Sequence, residues 1–282
     1  MTTTATAFVP GHVTGFFTVH RDDEDPTRSG SRGAGLTLAD GVEVTVTPVD
    51  PSSNERGVFL DGERVEMEAV DRVLRTLDAD PRVEGETDLP IGRGFGVSGA
   101  MALGTALAAN VAFDRRLSEN ELVTIAHGAE VQAGTGLGDV VAQARGGAVV
   151  RLEPGGPQDN ALDGIVVSRR LRVEYVHFEP IDTGEVIGGD TGFLDGPGEE
   201  ALSRVVGEPT LPSFLRASRA FARETGLLTP QVHETITAVN EAGGEASMAM
   251  LGEAVFALGT GLTDAGYDPS VTRIHPPGSA VL

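Results

Sequence analysis

The chain contains no cysteine, no lysine and no tryptophan, and only 5% of it is aromatic. Without cysteine there is no disulfide scaffold, no zinc ribbon and no thiol nucleophile. Without lysine there is no Schiff base, no P-loop lysine and no protein-kinase strand lysine. No apolar run approaches the roughly 18 residues of a membrane-spanning helix. The N-terminus has no basic residue ahead of a long apolar stretch, so no secretory signal is expected and the cytoplasm is the expected location. All 21 basic residues are arginine and stand against 42 acidic ones, a net charge of −21. That charge makes nucleic acid and anionic membranes poor partners. An acidic excess with no lysine describes a surface hydrated in high salt and points to a halophilic source.

What is present is enough for a large core: 282 residues, 40% of them apolar, suit one large domain or two ordinary ones. Strands are expected at Thr6–Val13, Phe16–His20 and Val42–Thr47, with a permissive glycine-rich loop over 21–35. Helical spacing over 66–78 is followed by an apolar helix over 100–113. Ser118 and Glu121 form a capping box opening a helix to about Gln132. A short strand covers Ala148–Leu152, and Glu153-Pro-Gly-Gly-Pro157 marks a boundary between regions 1–155 and 156–282. Beyond it come strand material over 164–178, helices near 198–206, 212–225 and 231–242, and a strand at 271–275. The expected fold is therefore α+β, with two lobes and a cleft between them.

Three stretches carry chemistry. In the first, Gly92, Gly94, Gly96 and Gly99 precede a helix. Its first-turn N–H groups and dipole form an anion site suited to polyphosphate, and the Ser98 hydroxyl can reach a magnesium ion there. Gly94-x-Gly-x-x-Gly99 also matches the dinucleotide fingerprint. However, the residues before it are charged and end in proline, and the next element is a helix rather than a strand. A plain glycine turn before a buried helix is the bland alternative. In the second stretch, Asp139 follows three glycines and precedes Val-Val-Ala, a position costly for a carboxylate unless it is paired or metal-bound. Glu130, late in a largely apolar helix, faces either solvent or a cation; with His127 it makes only a weak metal pair. The third stretch, 245–258, is most simply a core helix with methionines filling gaps. His12 and Thr14 lie beside glycines near the N-terminus.

In this order, Phe8–Gly15, Pro90–Ser98 and Ser247–Phe256 resemble the three signature regions of the GHMP kinase superfamily of small-molecule kinases. The resemblance spans about residues 5 to 275. Val97 and Gly99 depart from the serine and alanine common in that superfamily, and the last stretch lacks its usual glycine cluster. Residues 30–35 and 134–143 point further, to a branch whose acceptor is a hydroxy acid.

The resemblance implies phosphoryl transfer from ATP to an alcohol, with Mg²⁺ held by Ser98 and Glu130 and Asp139 acting as base or orienter. It places the nucleotide on Gly92, Arg93, Gly94, Phe95, Gly96, Val97, Ser98, Gly99 and Ala100. An acidic acceptor calls for an arginine, Arg151 first and Arg32 second, because the guanidinium pairs bidentately with carboxylate. His12, Thr14, Ser31 and, more weakly, Thr183 complete the expected acceptor site. A sister kinase acting on mevalonate or homoserine, a nicotinamide-dependent oxidoreductase and a silent binding protein are the alternatives. The sequence leaves room for a homodimer.

Overall fold

The computed structural model describes residues 3–22, 24–50, 55–178 and 189–282. Two long antiparallel strands, β1 (Ala5–Phe17) and β2 (Gly33–Thr47), form its spine. In β2, Val42, Val44 and Val46 are fully buried while Glu43 is exposed, the alternation that made this stretch legible as a strand. The two strands expected over 6–20 are one strand, irregular in register between Pro10 and Gly11 and between Thr14 and Phe16. Gly15 does not end the strand; it makes room for the Phe214 ring, 2.6 Å from where a Cβ would stand. Likewise Gly33–Gly35, expected in the loop, opens β2.

The far half of β2 pairs with β5 (Arg82–Thr87), while its first residues pair with β6 (Ala148–Glu153). A hairpin, β3 (Gly57–Leu60) and β4 (Glu63–Val65), extends the sheet beyond β5. Helix α1 (Glu68–Thr76) links the hairpin to β5. Helix α2 (Val97–Ala112) is apolar on nearly all sides because it is the core: it packs on β1 and β2, and Gly104 admits Val44. Helix α3 (Glu119–Ala133) begins at the expected Ser118/Glu121 capping box and packs on α2. The short α4 (Asp139–Arg145) follows it.

Strand pairing carries the first sheet past residue 155, since β7 (Ala161–Ile165) pairs with β6. The stretch expected as strand over 164–178 is divided between β7 and β8 (Arg172–His177). A second sheet of four strands has the order β11-β8-β10-β9, with β9 (Ala246–Ala249), β10 (Ala254–Leu258) and β11 (Ser270–Arg273). It is accompanied by α5 (Gly192–Gly207), α6 (Leu211–Glu224), α7 (Pro230–Glu241) and the single turn α8 (Gly261–Asp264). Thr210 and Thr229 cap α6 and α7, each followed by an early proline. The last strand, β12 (Ala280–Val281), returns to pair with β1.

One expectation is overturned: 245–258 is not a core helix but the β9–β10 hairpin. Ala246–Ala249 is buried at every position and β10 at all but its last, so no alternation betrays a strand. The α+β architecture itself is as expected. Among the described residues no helix is long and apolar enough to cross a membrane.

Candidate active site in the cleft

Between β5 and α2 the chain makes a loop in which Gly92, Gly94 and Gly96 have φ of 70°, 80° and 68°. That left-handed region is strained for any residue with a Cβ. Gly96 is the N-cap of α2 and supplies no side chain to it, so the first-turn N–H groups point outward uncapped. The loop is clamped from three sides. The His12 N–H donates to the Phe95 carbonyl (3.0 Å), and Gln143 Nε2 donates to the Gly96 carbonyl (2.9 Å). The Phe95 ring is 1% exposed and packs on Tyr175, so Phe95 serves the loop as an anchor. From the second sheet, the turn Met250–Gly252 presses on Arg93 and Gly94.

A cleft of about 370 Å³ lies along this loop, bordered by Thr14, Ser98, Thr135, Asp139 and Leu251. A narrower hollow continues past Asp139, lined by Thr14, Phe17, Ser31, Leu137, Arg151 and Leu251. Thr14, Asp139 and Leu251 border both.

Three ionisable groups, Glu130 and Arg151 buried and Asp139 partly so, give the site its character. Ser98 Oγ (2.6 Å) and Thr135 Oγ1 (2.8 Å) both donate to Glu130 Oε1. Burial nevertheless pushes the Glu130 carboxyl up to about 7, against those two bonds and with help from the charge of Asp139. Glu174, the other buried glutamate among the described residues, shows the contrast. It accepts from Leu262 N, Thr263 N, Thr263 Oγ1 and Arg172, and these bonds outweigh burial and hold it below the ordinary range. Glu130 is thus an acid short of positive partners.

Asp139 opens α4, where burial would raise its pKa, but the hydrogen bond from His12 and the charge of Arg151 outweigh burial and lower it. His12 Nδ1 lies 2.6 Å from Asp139 Oδ1, and burial pulls the imidazole below its ordinary value. Arg151 is 1% exposed, and its pKa is lowered to about 10 by burial, which leaves it charged at neutral pH. Its Nε makes one long bond to the Ser31 carbonyl (3.4 Å), and its Nη1 has no partner.

Most of the expected site residues converge here, with three exceptions in detail. The His12 ring is fully buried and lines neither the cleft nor the hollow. Arg32 is committed to Glu199 (2.6 Å) and to the Leu152 carbonyl (2.7 Å) and lines neither. Thr183 lies outside the described residues. Sequence reasoning missed Thr135, Gln143 and the Met250–Leu251 turn. The first two sit within the glycine-rich stretch that drew attention to Asp139; the turn was hidden by the helical reading of its segment.

Residues 65–147 match the family described as GHMP kinases N terminal domain. The mevalonate diphosphate decarboxylase of Enterococcus faecalis has the same fold, with a TM-score of 0.74 at 17% identity over 99% of this chain and 98% of that one. Fold and phosphate loop together define a GHMP kinase. Nearer relatives narrow this. The pantoate kinase of Methanospirillum hungatei is 33% identical over 99% of this chain and 97% of its own length, and that of Thermococcus kodakarensis is 34% identical over 89% and 86%. A solved structure named "Phosphotransferase related to CoA biosynthesis pathway" superposes with a TM-score of 0.85 at 31% identity over 99% of both chains. The chain belongs to the pantoate kinase family.

Proposed function

We propose that the chain phosphorylates the 4-hydroxyl of (R)-pantoate with ATP, giving 4-phosphopantoate and ADP on a route to coenzyme A. The observation that carries this is the hollow beyond Asp139. It joins a charged arginine with a free Nη1 to apolar walls, Phe17, Leu137 and Leu251, and to the carboxylate of Asp139. Pantoate has a carboxylate, a carbon bearing two methyl groups and a primary alcohol, the three chemistries that line the hollow, whose own volume of about 20 Å³ leaves the body of the acceptor in the adjoining cleft.

The phosphates rest on the first turn of α2, where N–H groups and dipole supply positive potential without lysine. Arg151 pairs with the acceptor carboxylate, and Asp139 Oδ2 takes or orients the proton of the alcohol. The acceptor oxygen bonds to the γ-phosphorus as the bond to the β–γ bridging oxygen breaks, the proton passes to Asp139 and ADP leaves.

The donors fit magnesium: oxygen only, with a carboxylate whose pKa is raised by burial and a hydroxyl already bonded to it. Among the described residues no three acidic or histidine side chains form a self-sufficient metal cluster. That suits an ion carried in on phosphates and held by Ser98 and Glu130. When bound, Mg²⁺ neutralises phosphate charge. We further propose a cytoplasmic, high-salt archaeal setting, on the net charge of −21 and the absence of lysine.

The deciding experiment is a panel of hydroxy acids (pantoate, mevalonate, homoserine) assayed for ADP release with and without EDTA. Turnover confined to pantoate supports the proposal. Preference for either other acceptor would replace it with a sister kinase, and no ADP release from any of them would overturn it.

A further inference from the structure

His12 is the fully buried histidine in β1, and its surroundings define what it can do. Its Nδ1 faces Asp139 Oδ1 at 2.6 Å, and a carboxylate oxygen at that distance requires the proton to sit on Nδ1. Its Nε2 has no partner and lies against Gly35, where a Cβ would stand 2.3 Å from it. A protonated ring would bury an N–H with no acceptor, with the Arg151 charge opposing it as well, so the ring is neutral. The backbone N–H of the same residue holds the phosphate loop through Phe95. Asp139 needs an outside anchor, since it opens a seven-residue helix behind a segment with glycines at 134, 136 and 138.

Resting on the reading of Asp139 as the group that meets the acceptor hydroxyl, we infer that His12 is its positioning residue rather than a substrate ligand. From the rigid strand β1, His12 Nδ1–H occupies Asp139 Oδ1 and leaves Oδ2 as the oxygen that faces the acceptor. This makes one residue answerable for both partners of the reaction, the phosphate loop through its main chain and the base through its ring. The inference also accounts for Gly35, since any side chain there would displace the imidazole.

The test uses the full chain in high salt with four variants: His12→Asn, His12→Gln, His12→Ala and Asp139→Asn. An asparagine amide nitrogen falls near the place of Nδ1, a glutamine amide nitrogen near that of Nε2. The expected result is a kcat lowered roughly 10–100-fold in His12→Ala and His12→Gln, as for other groups that orient a reacting side chain. The Michaelis constant for ATP should hold steady, and His12→Asn should recover most of the lost turnover. The double variant His12→Ala with Asp139→Asn should be no slower than Asp139→Asn alone, because the two act in series. Equal loss in His12→Asn and His12→Gln, or a double variant in which the two losses multiply, would overturn the inference. If His12→Ala fails to fold, the asparagine–glutamine pair decides. Near-normal turnover in Asp139→Asn would instead remove the reading of Asp139 itself, whereas a slow Asp139→Asn beside a normal His12→Ala removes only the role of His12.

Discussion

Gly252, at the turn between β9 and β10, lies so close to Arg93 that a Cβ on it would stand 2.0 Å from the Arg93 carbonyl oxygen. The two residues belong to different sheets' connections, and their contact is where the second sheet sets the height of the phosphate loop. Arg93 cannot give way by a rotamer change, because the atom in contact is backbone. Gly252→Ala should therefore displace the loop and weaken ATP binding about tenfold or more, the scale of overpacking against a fixed neighbour. Calorimetric titration with ATP–Mg²⁺ checks this, and unchanged affinity would show that the loop does not depend on the turn.

Arg151→Ala should raise the Michaelis constant for pantoate far more than that for ATP. The expected loss is on the order of 2–5 kcal/mol, since Arg151 is buried and its partner carboxylate would be left desolvated. Steady-state kinetics in both substrates distinguishes this from a general loss of fold, which would lower the apparent turnover and leave both Michaelis constants in place. A pantoate constant that stays put moves the carboxylate site elsewhere.

Glu130 ties stability to pH. Its carboxyl titrates near 4.5 when unperturbed and near 7 in the fold. Between those values the folded chain holds a proton that the unfolded chain has released, so metal-free stability falls as pH rises through that window. Glu130→Gln cannot ionise and keeps an acceptor for Ser98. It should match the wild type near pH 4.5 and exceed it at pH 8 by on the order of 2–4 kcal/mol. Melting curves with EDTA at the two pH values measure this, and a difference independent of pH would contradict the raised pKa. Added Mg²⁺ should stabilise the wild type at pH 8 and leave the variant unmoved.

Salt should act on the whole molecule. With a net charge of −21, self-repulsion is screened as the Debye length shrinks, so melting temperature and turnover should both rise toward molar KCl. Equal stability in dilute buffer would mean that the acidic surface has no such role.

How much of this was legible from the chain alone follows from the range of each interaction. The three positive-φ glycines, the apolar helix after them and the Ser118/Glu121 capping box are local, settled within a few residues by backbone sterics and nearby hydrogen bonds. They were enough to mark an anion-binding helix terminus and, by resemblance, the superfamily. Charge and the lack of lysine were equally open to inspection. The roles of the acceptor-side residues were not. His12 and Asp139 meet across 127 residues, and no pattern in either segment says that the histidine faces the aspartate rather than the substrate. Arg151 and Arg32 look alike in sequence, yet one is left with a free Nη1 in a buried hollow while Glu199 takes the other. The 246–258 hairpin was misread because strands with almost every residue buried lose the alternation that identifies them. Backbone conformation and net charge are properties of the chain by itself; which polar group is left without a partner is decided only when distant segments have packed and the hydrogen bonds have been allotted.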